Sequence, residues 1–363
     1  MKVLLLGEFS GLYSNLRDGL TELGHDVVLA SDGDGYKKFE TDIKLDFNHQ
    51  NFGKIINKIC YFKDSFSQII KFKNYDVVQI VYDHLFSPVK YNNFLINLIK
   101  SNNNSLFLTV AGSNNTVMRY WLSKENTKVS ILYKDAIKYD HYETILNNKA
   151  YQFEKQLALK VDGIIPIMYE YSLPYINNPN LNNIIPIPIN LKKIKYAENI
   201  VNGKIVFFHG LNKYGSKGTK YIEQAFKIIK DKYPNDIEVI ISGNLPYSDY
   251  LKLISRVNVV LDQTSSYSLG INGLIALGLG KVVMGGAEQE SIETFGYEQC
   301  PVFNLRPDVD YIVSQMESII KRKNEITEIG YESRKFVEKY HNHINIAAKY
   351  IEVWKKKDKN IFS

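Results

Sequence analysis

Cysteine is almost missing from this 363-residue chain, in which Cys60 and Cys300 are the only two. They supply neither a zinc-ligand spacing nor a disulfide framework, which fits a reducing compartment. Long apolar runs are missing as well. No stretch approaches the roughly 20 apolar residues needed to span a bilayer. The opening MKVLLLGEF has an apolar run of only VLLL before Gly7 and Glu8, too short for the core of a signal peptide, and it reads as a first buried strand. Charge of one sign is in short supply too. A net charge of +6 is too diffuse to argue for nucleic acid, though it suits anionic ligands or anionic lipid. The dinucleotide fingerprint G-x-G-x-x-G does not occur, and there is no internal repeat.

What is present is an alternation of strand and helix patterns through a chain long enough for two domains, with 45% of its residues hydrophobic. In the first half the strand candidates are Lys2–Leu6, Asp26–Ala30, Asp76–Val81, Ser105–Val110, Gly163–Met168 and Ile184–Pro186. Leu12, Leu16, Leu20 and Leu23 follow the first at helical spacing, and Gly24 supplies the stop. Pro186 and Pro188 break the pattern, and a polar stretch leads to a new start at Gly203. The domain boundary is placed near residues 190–202. The second half offers Lys204–His209, Glu238–Ser242, Val257–Leu261, Lys281–Met284 and Pro301–Asn304 as strands, and Tyr331–Lys357 as a helix. Two doubly wound α/β domains facing a cleft are therefore expected: residues 1–195, residues 196–340, and a terminal helix over 341–363.

In such sheets ligands bind outside the carboxyl ends of strands. Gly7-Glu8-Phe9-Ser10-Gly11 ends the first strand, either as a tight turn or as a close approach to a ligand. Asp83 and His84 end the third, where Asp83 could orient His84 as a general base or a sugar contact, or both could serve the surface or packing. Ala111-Gly112-Ser113-Asn114 ends the fourth, where Ser113 and Asn114 suit sugar hydroxyls or a helix cap equally. From Gly203 to Gly286 a strand twice runs into a small-residue loop and a helix. His209 and Gly210 lead to Lys213, Lys217 and Gly218, two cations around a glycine-rich turn. Asp262 and Gln263 lead to Ser268, Leu269, Gly270, Ile271 and Asn272, an almost uncharged helix opening whose free N–H groups suit an anion. Glu288 and Glu290 follow a Gly-Gly pair. The segment Lys54–Lys73, with Ile55, Ile56, Ile59, Phe62, Phe66, Ile69 and Ile70 among lysines, reads as a basic amphipathic helix, on a membrane or on the sheet.

With GEFSGLYSNLRDGLTELGHDV at the start, LTVAGSNN and EKQLALKVDGIIPI before the boundary, and HGLNKYGSKGTKYIEQAF and SLGINGLIALGLGKVV after it, the chain resembles the GT-B glycosyltransferases. The likeness is to family-4-like enzymes of bacterial surface polysaccharide synthesis. The resemblance implies a nucleotide-sugar site in the second domain, an acceptor site in the first, and a terminal helix that crosses back. It places Lys217 at the donor diphosphate, Gly270 and Ile271 at the distal phosphate, and Glu288 near the donor sugar. Asn212 falls where the family carries arginine, beside Lys213. The family's paired glutamates fall on Tyr267 and Ile275, and its histidine on Ala111, with Asn114 in place of an acid.

The expectation is a hexosyltransferase of the cytoplasm, peripheral on the inner membrane face at most, moving sugar from a UDP- or GDP-linked donor to a lipid-linked or growing glycan with retention of configuration. No cofactor and no metal are expected, on the reading that the chain offers neither an Asp-x-Asp motif on a short loop nor a dense carboxylate cluster. Catalytic candidates are Lys217, Glu288 and Asn114. Donor-binding candidates are Ser10, His209, Gly210, Lys213, Lys217, Gly243, Leu269, Gly270, Ile271 and Asn272. Acceptor-side candidates are Glu8, His84 and Ser113. The alternatives are a nucleotide-sugar epimerase or hydrolase of the same fold, or a noncatalytic subunit. Base selection is expected near Ser242–Tyr247.

Overall fold

A computed structural model describes residues 1–45, 63–64, 66–81, 92–211, 213–243 and 247–360. Cys60, Asp83, His84 and Asn212 lie outside them, as does most of Lys54–Lys73. Of that stretch, Ile69 is buried in the core and Ile70 is exposed.

Two parallel sheets form the frame. The first joins β1 (Lys2–Leu6), β2 (Asp26–Ser31), β3 (Ile43–Lys44), β4 (Val77–Ile80), β5 (Leu106–Val110) and β6 (Gly163–Pro166) in the order β3-β2-β1-β4-β5-β6. The second joins β7 (Ile205–Gly210), β8 (Ile237–Ser242), β9 (Val259–Leu261), β10 (Val282–Gly285) and β11 (Phe303–Asn304) in the order β11-β10-β9-β7-β8. Strands such as β1 and β9 are continuous apolar runs because helices cover both faces, and Val3, Leu4, Leu5, Leu6 and Leu261 are fully buried. Strand order reverses between β1 and β4 in one sheet and between β7 and β9 in the other. Those two switch points open the crevices in which doubly wound folds bind ligands.

One core cluster runs through both domains, from Val3 and Leu16 through Ile185, Ile187 and Ile189 to Val260, Phe336 and Trp354. Residues 184–186 are not a strand, against expectation: two prolines deny the ladder its N–H groups, and the segment keeps only isolated contacts such as Ile185 N–H to Pro166 O, 3.0 Å. The terminal helix is also not continuous. It splits into Ile326–Tyr340 and His343–Asn360 because Ile189 donates to His341 O (2.7 Å) and bridges Asn342. After that break the chain crosses back. His343–Asn360 packs on the helix Leu12–Glu22, where a side chain on Gly19 would start 2.3 Å from His343 O. Trp354 Nε1 donates to Gln79 Oε1 at 2.9 Å.

Candidate functional site

At the switch point of the second sheet, Lys217 Nζ pairs with Asp262 Oδ1. Asp262 is 4% exposed, and its other oxygen is buried without a hydrogen-bond partner. That oxygen lies 3.6 Å from where a side chain on Gly270 would start. Gly270 caps the helix Ile271–Gly278 with no side-chain hydrogen bond, so the first helical amides are left for water or a ligand. Gly218 makes the Lys217 loop possible. Its φ is +68°, and a β-carbon there would lie 2.0 Å from Thr264 Oγ1, so the loop rests directly on the β9 end. Lys217, Gly270 and Ile271 are thus brought together, with Asn272 exposed beside them. Leu269 instead packs into the core next to Gly273 and Gly285.

His209 is not open to a ligand. Its ring is fully buried, with Nδ1 donating to Leu261 O (2.8 Å) and Nε2 accepting from Thr219 Oγ1 (2.9 Å). Burial holds its pKa down at about 4. The ring ties β7 to β9 and to the helix Thr219–Lys232; Gly210, next in the chain, is partly buried at the end of β7. Lys213 does not join Lys217. Its ammonium donates to Tyr142 Oη at 2.9 Å, on the rim of an open pocket of about 530 Å³ that Tyr139, Tyr214, Leu211 and Gly243 also line. Gly243 is required there by the backbone, since a β-carbon would meet Leu211 O at 1.5 Å.

The first-sheet switch point is filled from within. Glu8 is fully buried and accepts from Phe9 N (2.7 Å), Gly11 N (3.1 Å), Tyr13 N (3.2 Å), Ser14 N (2.8 Å) and Ser14 Oγ (2.8 Å). Burial pushes its pKa up while these bonds pull the other way. The carboxylate occupies the helix N-terminus where an outside anion would sit, so Glu8 is a fold residue and not an acceptor contact. Glu8→Ala leaves those donors orphaned and is expected to cost about 3–5 kcal/mol, read by urea unfolding. Ser10 also belongs to this domain's surface, its amide on Asp34 Oδ2 and its hydroxyl accepting from Lys37 Nζ, both at 2.7 Å. Asn114 is a helix cap, with Oδ1 accepting from Val117 N (2.9 Å) and Nδ2 donating to Tyr175 Oη (3.1 Å), which removes it from the catalytic set. Ser113 donates to Tyr133 Oη at 3.3 Å.

The cleft itself is bridged by the first-domain helix Lys128–Asp140. At one end Lys128 Nζ reaches Glu288 Oε1 (2.6 Å) and Leu305 O (2.9 Å). Burial pushes Lys128 below the usual lysine range against the pull of Glu288. Burial works against the charge on Glu288 as well, yet the Lys128 ammonium and Asn304 hold it below the usual carboxylate range. At the other end Asp140 accepts from Gly215 N (3.0 Å), Ser216 N (2.7 Å) and Ser216 Oγ (2.6 Å), while Asp135 pairs with Lys220 at 2.6 Å. Lys128, Asp135 and Asp140 escaped the sequence reading because nothing adjacent to them signals partners 75 to 177 residues away.

Among the described residues no cluster of His, Cys, Asp and Glu is arranged to hold a metal. Against expectation, Asp-x-Asp triplets do occur, Asp32-Gly33-Asp34 and Asp308-Val309-Asp310, but both serve the fold: Asp34 holds Lys37, and Asp308 caps the helix Val309–Lys321. No described helix is long and apolar enough to cross a membrane.

No protein-family model matches the chain, and no curated protein is similar to it in sequence. Solved structures match it in fold. Sucrose-phosphate synthase from Thermosynechococcus elongatus matches with a TM-score of 0.64 at 12% identity, over 98% of this chain and 99% of that one. HepE from Anabaena, in complex with UDP and glucose, matches with a TM-score of 0.63 at 11% identity, over 98% and 100%. UDP-GlcNAc 2-epimerase from Neisseria meningitidis, bound to UDP-GlcNAc, matches with a TM-score of 0.54 at 13% identity, over 98% and 100%. The chain has the two-domain GT-B fold over its whole length.

Proposed function

We propose that this protein is a glycosyltransferase that moves a hexose-type sugar from a nucleoside-diphosphate donor to a lipid-linked or growing glycan of a bacterial surface polysaccharide. One observation carries the reading: the Lys217–Asp262 pair at the second-domain switch point, with an unpartnered buried oxygen and the open helix start at Gly270 beside it. The donor diphosphate sits on Lys217 and the amides of Ile271 and Asn272, and the free oxygen of Asp262 accepts a hydroxyl of the donor. Charge that develops on the leaving diphosphate meets a cation and fixed dipoles, in a cleft that closure shields from water. In this reading those groups supply the positive charge a divalent metal would otherwise bring, configuration is retained, and Glu288 with Lys128 lies beside the transferred sugar. The UDP and UDP-GlcNAc held by two proteins of this fold favour UDP over GDP. The mild positive charge suits work at the cytoplasmic membrane face on a lipid-linked acceptor.

A thermal-shift panel of UDP- and GDP-sugars is the first test, since a donor that binds the folded state raises its melting temperature by mass action. If none does so, the reading falls. Product formed from the active donor without any acceptor supports instead the epimerase or hydrolase reading, which the shared epimerase fold keeps in view. Binding without turnover on any acceptor supports a noncatalytic subunit.

Gly270→Ala separates ligand space from fold. Gly270 has φ −81°, open to any residue, and a β-carbon there makes only ordinary contacts with Asp262 and Gln263. Melting is expected to stay as in wild type. Donor affinity, measured by calorimetry, is expected to fall about tenfold, the order of the 1–3 kcal/mol that an added methyl costs in a filled site.

A further inference from the structure

Glu170 lies just after β6, in the short helix Tyr169–Ser172 of the first domain, and is 3% exposed. Every hydrogen bond its carboxylate accepts comes from the second domain. Oε1 accepts from Ser266 Oγ, Tyr267 N (3.1 Å) and Ser268 N (3.3 Å), and Oε2 accepts from Ser268 Oγ (2.8 Å). Ser268 Oγ in turn accepts from Tyr169 N at 3.1 Å and lies 2.8 Å from Ser291 Oγ. The Tyr267 ring is held between first-domain rings, 5.7 Å from Trp121 and 5.4 Å from Tyr169, with the Lys128 ammonium 5.8 Å from its centroid. From the other side the turn presses on Gly286, where a β-carbon would lie 2.5 Å from Ser268 O and 2.6 Å from Ser266 O.

The gripped turn, Ser266–Ser268, runs straight into Gly270 and the helix start. A carboxylate held by two amides and two hydroxyls is a charge-assisted arrangement, stronger and more directional than neutral hydrogen bonds. Its donors lie on one domain and its acceptor on the other, so the grip exists only when the domains are together. We propose that Glu170 is a positioning residue for the donor site: it fixes the turn before Gly270 from across the domain boundary, so that seating a diphosphate there depends on domain closure. The proposal rests on the reading of Gly270–Asn272 as the diphosphate seat.

Calorimetry on the full chain tests it, with UDP against uridine and GDP against guanosine as probes. Wild type is expected to bind at least one diphosphate more tightly than its nucleoside. Glu170→Gln, which keeps the shape but sets an NH₂ or a neutral oxygen against the same donors, is expected to weaken that diphosphate about tenfold, a common size for coupling between two sites. Nucleoside affinity should not change. Glu170→Asp, with the charge kept but the reach shortened, should recover part of the loss. Should Glu170→Gln not fold, Ser266→Ala, which deletes one Oε1 donor and otherwise only a contact within the turn, to Ser268 O, is read in the same way. Unchanged diphosphate affinity, or equal losses for diphosphate and nucleoside, overturns the proposal and leaves the donor site standing. A wild-type chain that binds no diphosphate removes the donor site itself and this proposal with it.

Discussion

Lys217→Ala lowers donor turnover by roughly 10²–10³-fold, the usual loss when one group stabilising developing charge is removed, and it lowers the melting temperature as well. The second effect arises because Lys217 and Asp262 are a buried pair, their side chains 16% and 3% exposed. Asp262 already has one oxygen without a partner, so removing Lys217 strands the whole carboxylate. Leaving such a charge unpaired costs about 3–5 kcal/mol. A drop in activity after the single change would therefore be ambiguous between chemistry and folding. The double variant Lys217→Ala/Asp262→Asn resolves it. With the stranded charge gone, urea unfolding returns most of the lost stability, yet turnover stays low because no cation has replaced Lys217 at the leaving diphosphate. Recovery of turnover together with stability would make the pair purely structural and place the donor elsewhere.

The fold was largely legible because it is written in local patterns. Apolar runs bounded by small or polar residues mark β1, β2, β4 to β6 and β7 to β11 to within two residues or so, since strands buried on both faces need little but β-branched and aliphatic side chains. β3, two residues long, leaves no such run. The break at His341–Asn342 has a non-local cause, the backbone of Ile187–Ile189 some 150 residues earlier, and helical periodicity runs across it. Loop shape was legible where a loop's own glycine dictates it, at Gly218. The site was misread where a polar residue at a strand end serves the chain itself: Glu8 fills its own helix N-terminus, Asn114 caps the next helix and His209 laces two strands. Free N–H groups attract any acceptor, and a side chain of the same protein competes on better terms than a ligand because it is always present. The cross-domain partners were hidden for a related reason. The resembled family would set a glutamate at the position of Tyr267, whereas here a carboxylate reaches the Tyr267 amide from Glu170, 97 residues earlier.

Mild acid is expected to loosen both the donor-side sheet and the crossing of the terminal helix, through His209 and His341. His341 is fully packed, its Nδ1 donating to Ile187 O at 2.9 Å and its Nε2 accepting from Tyr297 Oη at 3.0 Å. Burial holds the pKa of each histidine at about 4, against an ordinary value of 6.5. Nearby charges do not reverse this: Lys349 pushes His341 further down, and the Lys217 and Asp262 effects on His209 oppose each other. Because the folded-state pKa lies below the unfolded one, the unfolded chain takes up protons first as pH falls. The stabilisation is whole above pH 6.5 and is lost between there and about pH 4. From pH 7.5 to pH 5 the loss is about 2 kcal/mol per histidine, about 4 kcal/mol for the two. Urea unfolding at the two pH values measures it, and variants isolate the source. His209→Asn and His341→Asn are each less stable than wild type at pH 7.5, but each loses about 2 kcal/mol less on acidification, since one buried group no longer titrates. A pH dependence that survives both replacements undiminished would assign it to other groups. A normal response in His209→Asn with a halved one in His341→Asn would place the acid-sensitive point at the crossover, where Ile187 and Ile189 meet His341 and Asn342 and the terminal helix turns back to the first domain.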